Sequence, residues 1–154
     1  MELTEILEQR GVSAAVKVQS KKRLLQEIAA IAKSRLGLDE QSVHTALLER
    51  ETLGPTGVGY GVALPHARIE GLEKVHGLFL HLETPVDFES VDRRPVDLIF
   101  VLLAPVDAGA DHLKALARVS RILRSDAVCA KLRSTADPAA LFAILADTDA
   151  IQAA

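Results

Sequence analysis

The side chains best suited to chemistry in this chain gather around one histidine. A run with four glycines and one proline, GPTGVGYG (residues 54–61), feeds the short apolar segment Val62-Ala63-Leu64 and is followed at once by Pro65 and His66. Glycines allow close backbone approach, and amides exposed in such turns can cradle an anion. Imidazole is largely neutral near pH 7 and serves as a nucleophile in covalent catalysis. His112 falls at the first position of a helix that Asp111 is expected to cap, where unpaired amides and the positive end of the helix dipole favour a bound anion. Arg50, just before the glycines, offers a planar and permanently charged guanidinium. Brought together, His66, His112 and Arg50 would stabilise charge on a transferring phosphoryl group, which is most of what that chemistry asks of a protein. The spacings alone also fit a plain glycine surface loop, a His112 that merely starts its helix, and an Arg50 that complements its own helix dipole.

Other chemistries fit less well. His76 and His81 are five apart on an expected strand, so they point to opposite faces and share no metal. His44 lies in mid-helix. The chain has no HExxH, no paired cysteines, no Walker lysine loop and no dinucleotide fingerprint; GVGYG lacks the spacing of the third glycine. Ser120 and Ser125 have no nucleophile elbow around them. The lone Cys129 sits in an Ala/Val/Leu stretch and reads as a small buried hydrophobe.

These residues need elements to position them. Residues 14–18 read as a short strand. Ser20 is an N-cap for a helix with Leu24, Ile28, Ile31 and Ala32 at helical spacing, and Gly37 ends it. A second helix starts near Asp39, buries Val43, Ala46 and Leu47, holds Arg50 in its last turn and ends before Gly54-Pro55. The glycine run holds too many breakers for a regular element. Residues 75–82 and 97–103 read as strands, the second apolar enough to be buried on both faces, with Pro85 and Pro95 punctuating the segment between them. Behind Asp111 a third helix carries Leu113, Leu116, Ser120 and Leu123 on one stripe. A short helix follows over residues 126–132, and Asp137-Pro138 opens a last one through about Leu145. The pattern predicts one α/β domain over residues 1–154, with helices covering a mixed sheet.

Composition narrows the function classes. With 154 residues, 49% of them hydrophobic and 25% charged, the chain can bury a core without disulfides or metal staples. A net charge of -3 with no basic block, 3% aromatic residues and no Trp argue against nucleic acid as a direct partner. Residues 1–11 are acidic and amphipathic, unlike a signal peptide, and no apolar run approaches the roughly 20 residues that span a bilayer. A cytoplasmic location with no membrane insertion is expected.

Three separated segments, LLERETLGPTGVGYGVALPHAR, LETPVDFESVDRRPVDLIFVLLAP and DHLKALARVSRIL, resemble the type-2 (fructose/mannitol-like) enzyme IIA domain of the bacterial phosphotransferase system, specifically its nitrogen-regulatory branch. The likeness runs from about residue 20 to residue 146. It implies a mixed parallel and antiparallel β-sheet flanked by helices on both faces. It also implies that His66 accepts a phosphoryl group through Nε2 from a small phosphohistidine carrier of the HPr or NPr type, with His112 and Arg50 as the family's second histidine and its arginine. No cofactor or metal is implied. Regulated partners in related proteins include a potassium transporter and a sensor kinase; passing the phosphoryl group to a fructose- or mannitol-specific enzyme IIB is the alternative output. Pro55-Thr56-Gly57 stands where relatives often have Ser-Thr-Gly, leaving Thr56 as a hydroxyl or amide donor to phosphate, and Pro-His-Ala-Arg stands where some have Pro-His-Gly.

Overall fold

The computed structural model describes residues 1–153. A four-residue helix, α1 (Leu3–Ile6), and a single 3-10 turn lead into β1 (Val12–Val16). Helix α2 (Lys21–Leu36) starts at Ser20, whose hydroxyl accepts the Arg23 N–H at 3.1 Å, and stops at Gly37 with φ 69°, the left-handed conformation that glycine adopts without penalty. Helix α3 (Glu40–Leu53) starts at Asp39, which accepts the Ser42 N–H at 3.0 Å. Then follow β2 (Gly57–Gly59), β3 (Val62–Ala63), β4 (His66–Ile69), β5 (His76–Val86) and β6 (Val96–Pro105). Helices α4 (Ala110–Leu123), α5 (Asp126–Arg133) and α6 (Pro138–Ala153) complete the chain.

Among the described residues the strands form one sheet in the order β1-β5-β6-β3-β2, with β4 beside β6 in line with β3. β6 runs parallel to β3 and β4 and antiparallel to β5, which is itself parallel to β1, so the sheet is mixed as expected. Side chains alternate across a strand, and β6 is apolar on both sides. Its Leu98, Phe100 and Leu102 join the core under α1, α4, α5 and α6, while Ile99, Val101 and Leu103 join a second core under α2 and α3. Each such side chain withdrawn from water contributes about 1.5–3 kcal/mol, which fixes the helical layers to opposite faces.

Several boundaries differ from the sequence expectation, each for a local reason. β1 lies two residues earlier, because Val12 and Ser13 are the residues that pair with Phe79 and Leu80. The glycine run is not structureless: β2 pairs antiparallel with β3 across Tyr60-Gly61, both at positive φ (58° and 79°), the requirement of a two-residue primed turn. Tyr60 is held there by its N–H donating to Asp92 at 2.8 Å and its carbonyl accepting from Arg133 at 2.8 Å. β5 continues through Pro85, since β1 stops pairing at Leu82 and the missing N–H breaks no ladder. Gly109, not Asp111, caps α4, which puts His112 at its third position; the buried stripe is His112, Ala115, Val119 and Ile122, and Leu113 is 67% exposed. On α3, Ala46 is only partly buried and the stripe Val43-Leu47 continues to Glu51. Helix α6 runs on to Ala153. Residues ahead of the region of resemblance also pack: Leu3, Ile6 and Leu7 are buried, and Asp149 accepts the Leu3 N–H at 2.9 Å.

Gly77 on β5 faces Phe100, and a Cβ there would lie 2.8 Å from the ring. Gly77→Ala is expected to destabilise the fold by about 1–3 kcal/mol through overpacking. Denaturant unfolding should show a lower midpoint with an unchanged slope.

Candidate active site

β3 and β4 lie in line along one edge of β6 and would form a single strand but for Leu64-Pro65. The break lets the first residue of β4, His66, turn its Nδ1 back onto the Leu64 carbonyl at 2.9 Å. A carbonyl can only accept, so Nδ1 carries the ring proton and Nε2 presents its lone pair. Arg50 reaches over from the last turn of α3: its Nε–H donates to His66 Nε2 at 3.3 Å, and Nη1 donates to the Gly54 carbonyl at 2.9 Å. From the other layer, the His112 ring stands nearly edge-on to that of His66, with centroids 5.3 Å apart and planes at 76°. The fold therefore brings together the three residues singled out from the sequence.

His112 is buried, yet neither of its ring nitrogens has a hydrogen-bond partner. A buried polar group left unpaired costs about 1–3 kcal/mol, and both nitrogens are free of partners within the described residues. Helix α4 begins at Gly109 with no capping side chain, and His112 lies in its first turn, where the positive end of the helix dipole is felt. Burial holds His66 below the ordinary imidazole value of 6.5, and the Arg50 charge adds to this, while the Leu64 carbonyl and the Glu51 carboxylate oppose it. His112 is lowered as well, by burial first and then by His66 and Arg68. Both shifts favour the neutral ring, the state a nitrogen nucleophile requires.

Thr56 does not stand free as a phosphate donor. Its amide donates to Glu51 Oε2 at 3.2 Å and its hydroxyl donates to Glu51 Oε1, so both groups face inward onto a buried carboxylate. Two charged residues escaped the sequence reading. Arg68 lies two residues beyond His66 on β4, hence on the same face; it donates to the Val106 carbonyl at 3.1 Å and its charge reaches His112. That period-two spacing was its signal. Glu51 was legible as an acid at the position where the stripe Val43-Leu47 asks for an apolar side chain. Leu53, Val106 and Leu113 expose apolar surface next in sequence to these site residues and turns.

Comparison with known proteins identifies the family and the fold. Residues 5–148 match the family model described as phosphoenolpyruvate-dependent sugar phosphotransferase system, EIIA 2. A nitrogen regulatory protein of Bradyrhizobium diazoefficiens is 51% identical over 146 residues, covering 95% of each chain. A nitrogen regulatory protein of Escherichia coli is 38% identical over 97% of this chain and 92% of its own. The crystal structure of nitrogen regulatory protein IIA-Ntr from Neisseria meningitidis superposes with a TM-score of 0.87 at 34% identity, covering 93% of this chain and 98% of that one. The match begins well ahead of residue 20, in keeping with the packed N-terminal segment.

Because His66 and His112 are less basic in the folded chain than the ordinary 6.5, the unfolded chain binds more protons as the pH drops below that value. Their contribution to stability is complete above pH 6.5 and is lost as the pH falls through the depressed folded values. Denaturant titrations from about pH 7.5 down to about pH 4.5 are expected to show this loss, and a His66→Gln, His112→Gln double variant is expected to reduce its slope, with His76, also lowered by burial, accounting for part of what remains.

Proposed function

The chain belongs to the EIIA 2 family of the phosphoenolpyruvate-dependent sugar phosphotransferase system, and on that premise we propose that it is a phosphocarrier whose His66 accepts a phosphoryl group from a small phosphohistidine protein of the HPr or NPr type. The observation that carries this reading is the His66 ring with its proton held on Nδ1 by Leu64 and its Nε2 lone pair directed at Arg50. In the transfer, the Nε2–P bond forms as the carrier's N–P bond breaks, and the bonding pair returns to the carrier's nitrogen. No proton needs to move. The ring gains positive charge as it takes the phosphoryl group, and the Leu64 carbonyl stabilises the Nδ1–H that shares it. Arg50 follows the phosphoryl oxygens with the Nε–H that now meets Nε2, and His112 supplies a hydrogen bond from its unpartnered ring. Leu53, Val106 and Leu113, exposed apolar side chains close in sequence to Gly54, the Arg68 partner carbonyl and His112, would offer a donor protein apolar surface.

The output of this chemistry is regulation of partner proteins according to the phosphorylation state of His66, with residues 1–154 acting as one unit. The relatives named nitrogen regulatory protein, at 51% and 38% identity, support this reading. A phosphoryl group adds roughly two negative charges and can make or block an interface. Transfer onward to a fructose- or mannitol-specific enzyme IIB would use the same site, and a cognate IIB that becomes labelled distinguishes that output. Among the described residues no helix is long and apolar enough to cross a membrane.

Incubation with phosphoenolpyruvate, enzyme I and the carrier is expected to label the wild-type chain at histidine and to leave His66→Ala unlabelled. Arg50→Ala and His112→Ala should each slow transfer by about 100-fold, the effect of removing one preorganised donor. Equal labelling of wild type and His66→Ala sinks the assignment.

A further inference from the structure

Resting on the phosphocarrier reading, we propose that Glu51, held by Lys21, is a positioning residue for the transfer, fixing through Thr56 and Leu64 the orientation in which His66 presents Nε2. Glu51 occupies the third place of the buried stripe Val43-Leu47-Glu51 on α3, and its side chain is 3% exposed. An apolar residue would suit that stripe better. A buried ion pair is a poor source of net stability, because desolvating two charges offsets their attraction. The carboxylate therefore needs another account, and its contacts supply one.

Lys21, at the first position of α2, places its ammonium 2.8 Å from Glu51 Oε2, 3.5 Å from Glu89 and 4.6 Å from the centre of the Phe88 ring. Glu51 in turn accepts both the amide and the hydroxyl of Thr56. The Thr56 carbonyl accepts the Leu64 N–H at 2.9 Å, and the Leu64 carbonyl accepts His66 Nδ1–H at 2.9 Å. His66 Nε2 accepts from Arg50, the residue next to Glu51. The polar contacts thus close a circuit that leaves α3 at one residue and returns to it at the next. Arg50 approaches the ring from outside while Glu51 roots the glycine turn from beneath. Gly57, directly after Thr56, seats the turn against Ser90, whose Oγ would lie 2.2 Å from any Cβ at that position. With both ends of the turn fixed, the Leu64 carbonyl has one direction in which to point, and it selects the tautomer that leaves Nε2 bare.

The test compares Thr56→Val, which removes the hydroxyl at nearly constant shape, with Thr56→Ser, which keeps it, and adds Glu51→Gln and Lys21→Met. Nitrogen-15 NMR of the His66 imidazole reads the tautomer without any phosphate present. Single-turnover transfer from the phosphorylated carrier, over a range of carrier concentrations, separates rate from docking. Thr56→Val, Glu51→Gln and Lys21→Met are expected to mix the two tautomers and to lower the maximal rate by about 10- to 100-fold, the penalty for a small misplacement of a reacting group, at an unchanged half-saturating carrier concentration. Thr56→Ser should restore both signals. Wild-type tautomer and rate in the folded variants would overturn the proposal, as would equal impairment in Thr56→Val and Thr56→Ser. If Glu51→Gln or Lys21→Met does not fold, the Thr56 pair decides alone. A wild-type chain that accepts no phosphoryl group overturns the phosphocarrier reading only, since the imidazole spectrum still decides whether Glu51 orients His66.

Discussion

The hydrogen bond from His66 Nδ1 to the Leu64 carbonyl spans only two residues, and it forms because Pro65 interrupts what would otherwise be one strand beside β6. In an unbroken strand, the carbonyl of residue 64 and the side chain of residue 66 would point in unrelated directions. The interruption turns a sheet edge into a reactive position at little expense to the sheet, because the Pro65 carbonyl still accepts the Leu102 N–H at 3.0 Å. Everything proposed for the ring follows from where that single proton sits: the nucleophilic nitrogen, the side from which Arg50 approaches, and the absence of any proton transfer in the reaction.

The two-sided burial of β6 explains why the site forms where it does. Arg50 belongs to the layer of α2 and α3, and His112 to the layer of α4, α5 and α6, which cover opposite faces of the sheet. They meet at His66, the first residue of β4 beside β6, where Arg50 donates to one ring nitrogen and the His112 ring stands edge-on to that of His66. Neither layer alone contains the site, so the geometry at His66 reports on the packing of the whole molecule. The low basicity of both imidazoles arises first from their partial burial between the two layers.

Much of this was legible from residue types. Ser20, Gly37 and Asp39 mark their helix ends because each satisfies backbone groups that a helix leaves unpaired, and these signals are local. The apolar run of β6 announces two-sided burial for a similar reason. His66, Arg50 and His112 could be picked out as chemically suitable, but their convergence could not be read from spacing, since it depends on strand order. The rotation of α4 escaped because Leu113 is a better hydrophobe than His112, and only the second layer of the fold explains why the histidine is the one turned inward. Thr56 stands out in sequence because a hydroxyl beside a glycine turn suits phosphate; nothing near it in sequence reveals that a carboxylate on the preceding helix engages both of its donors.

The adjacency of Arg50 and Glu51 has a consequence for how this chain can change length. Loops such as the one between β4 and β5 can absorb an added or lost residue, because no group in the site takes its bearing from them. Helix α3 cannot. Deleting one residue between its N-cap and Arg50 would bring a carboxylate to the spot where the guanidinium meets the imidazole, setting a negative charge against the Nε2 lone pair and swinging the cation out of reach. Length variation in descendants of this sequence is thereby confined to segments that lie off the span from Asp39 to Glu51.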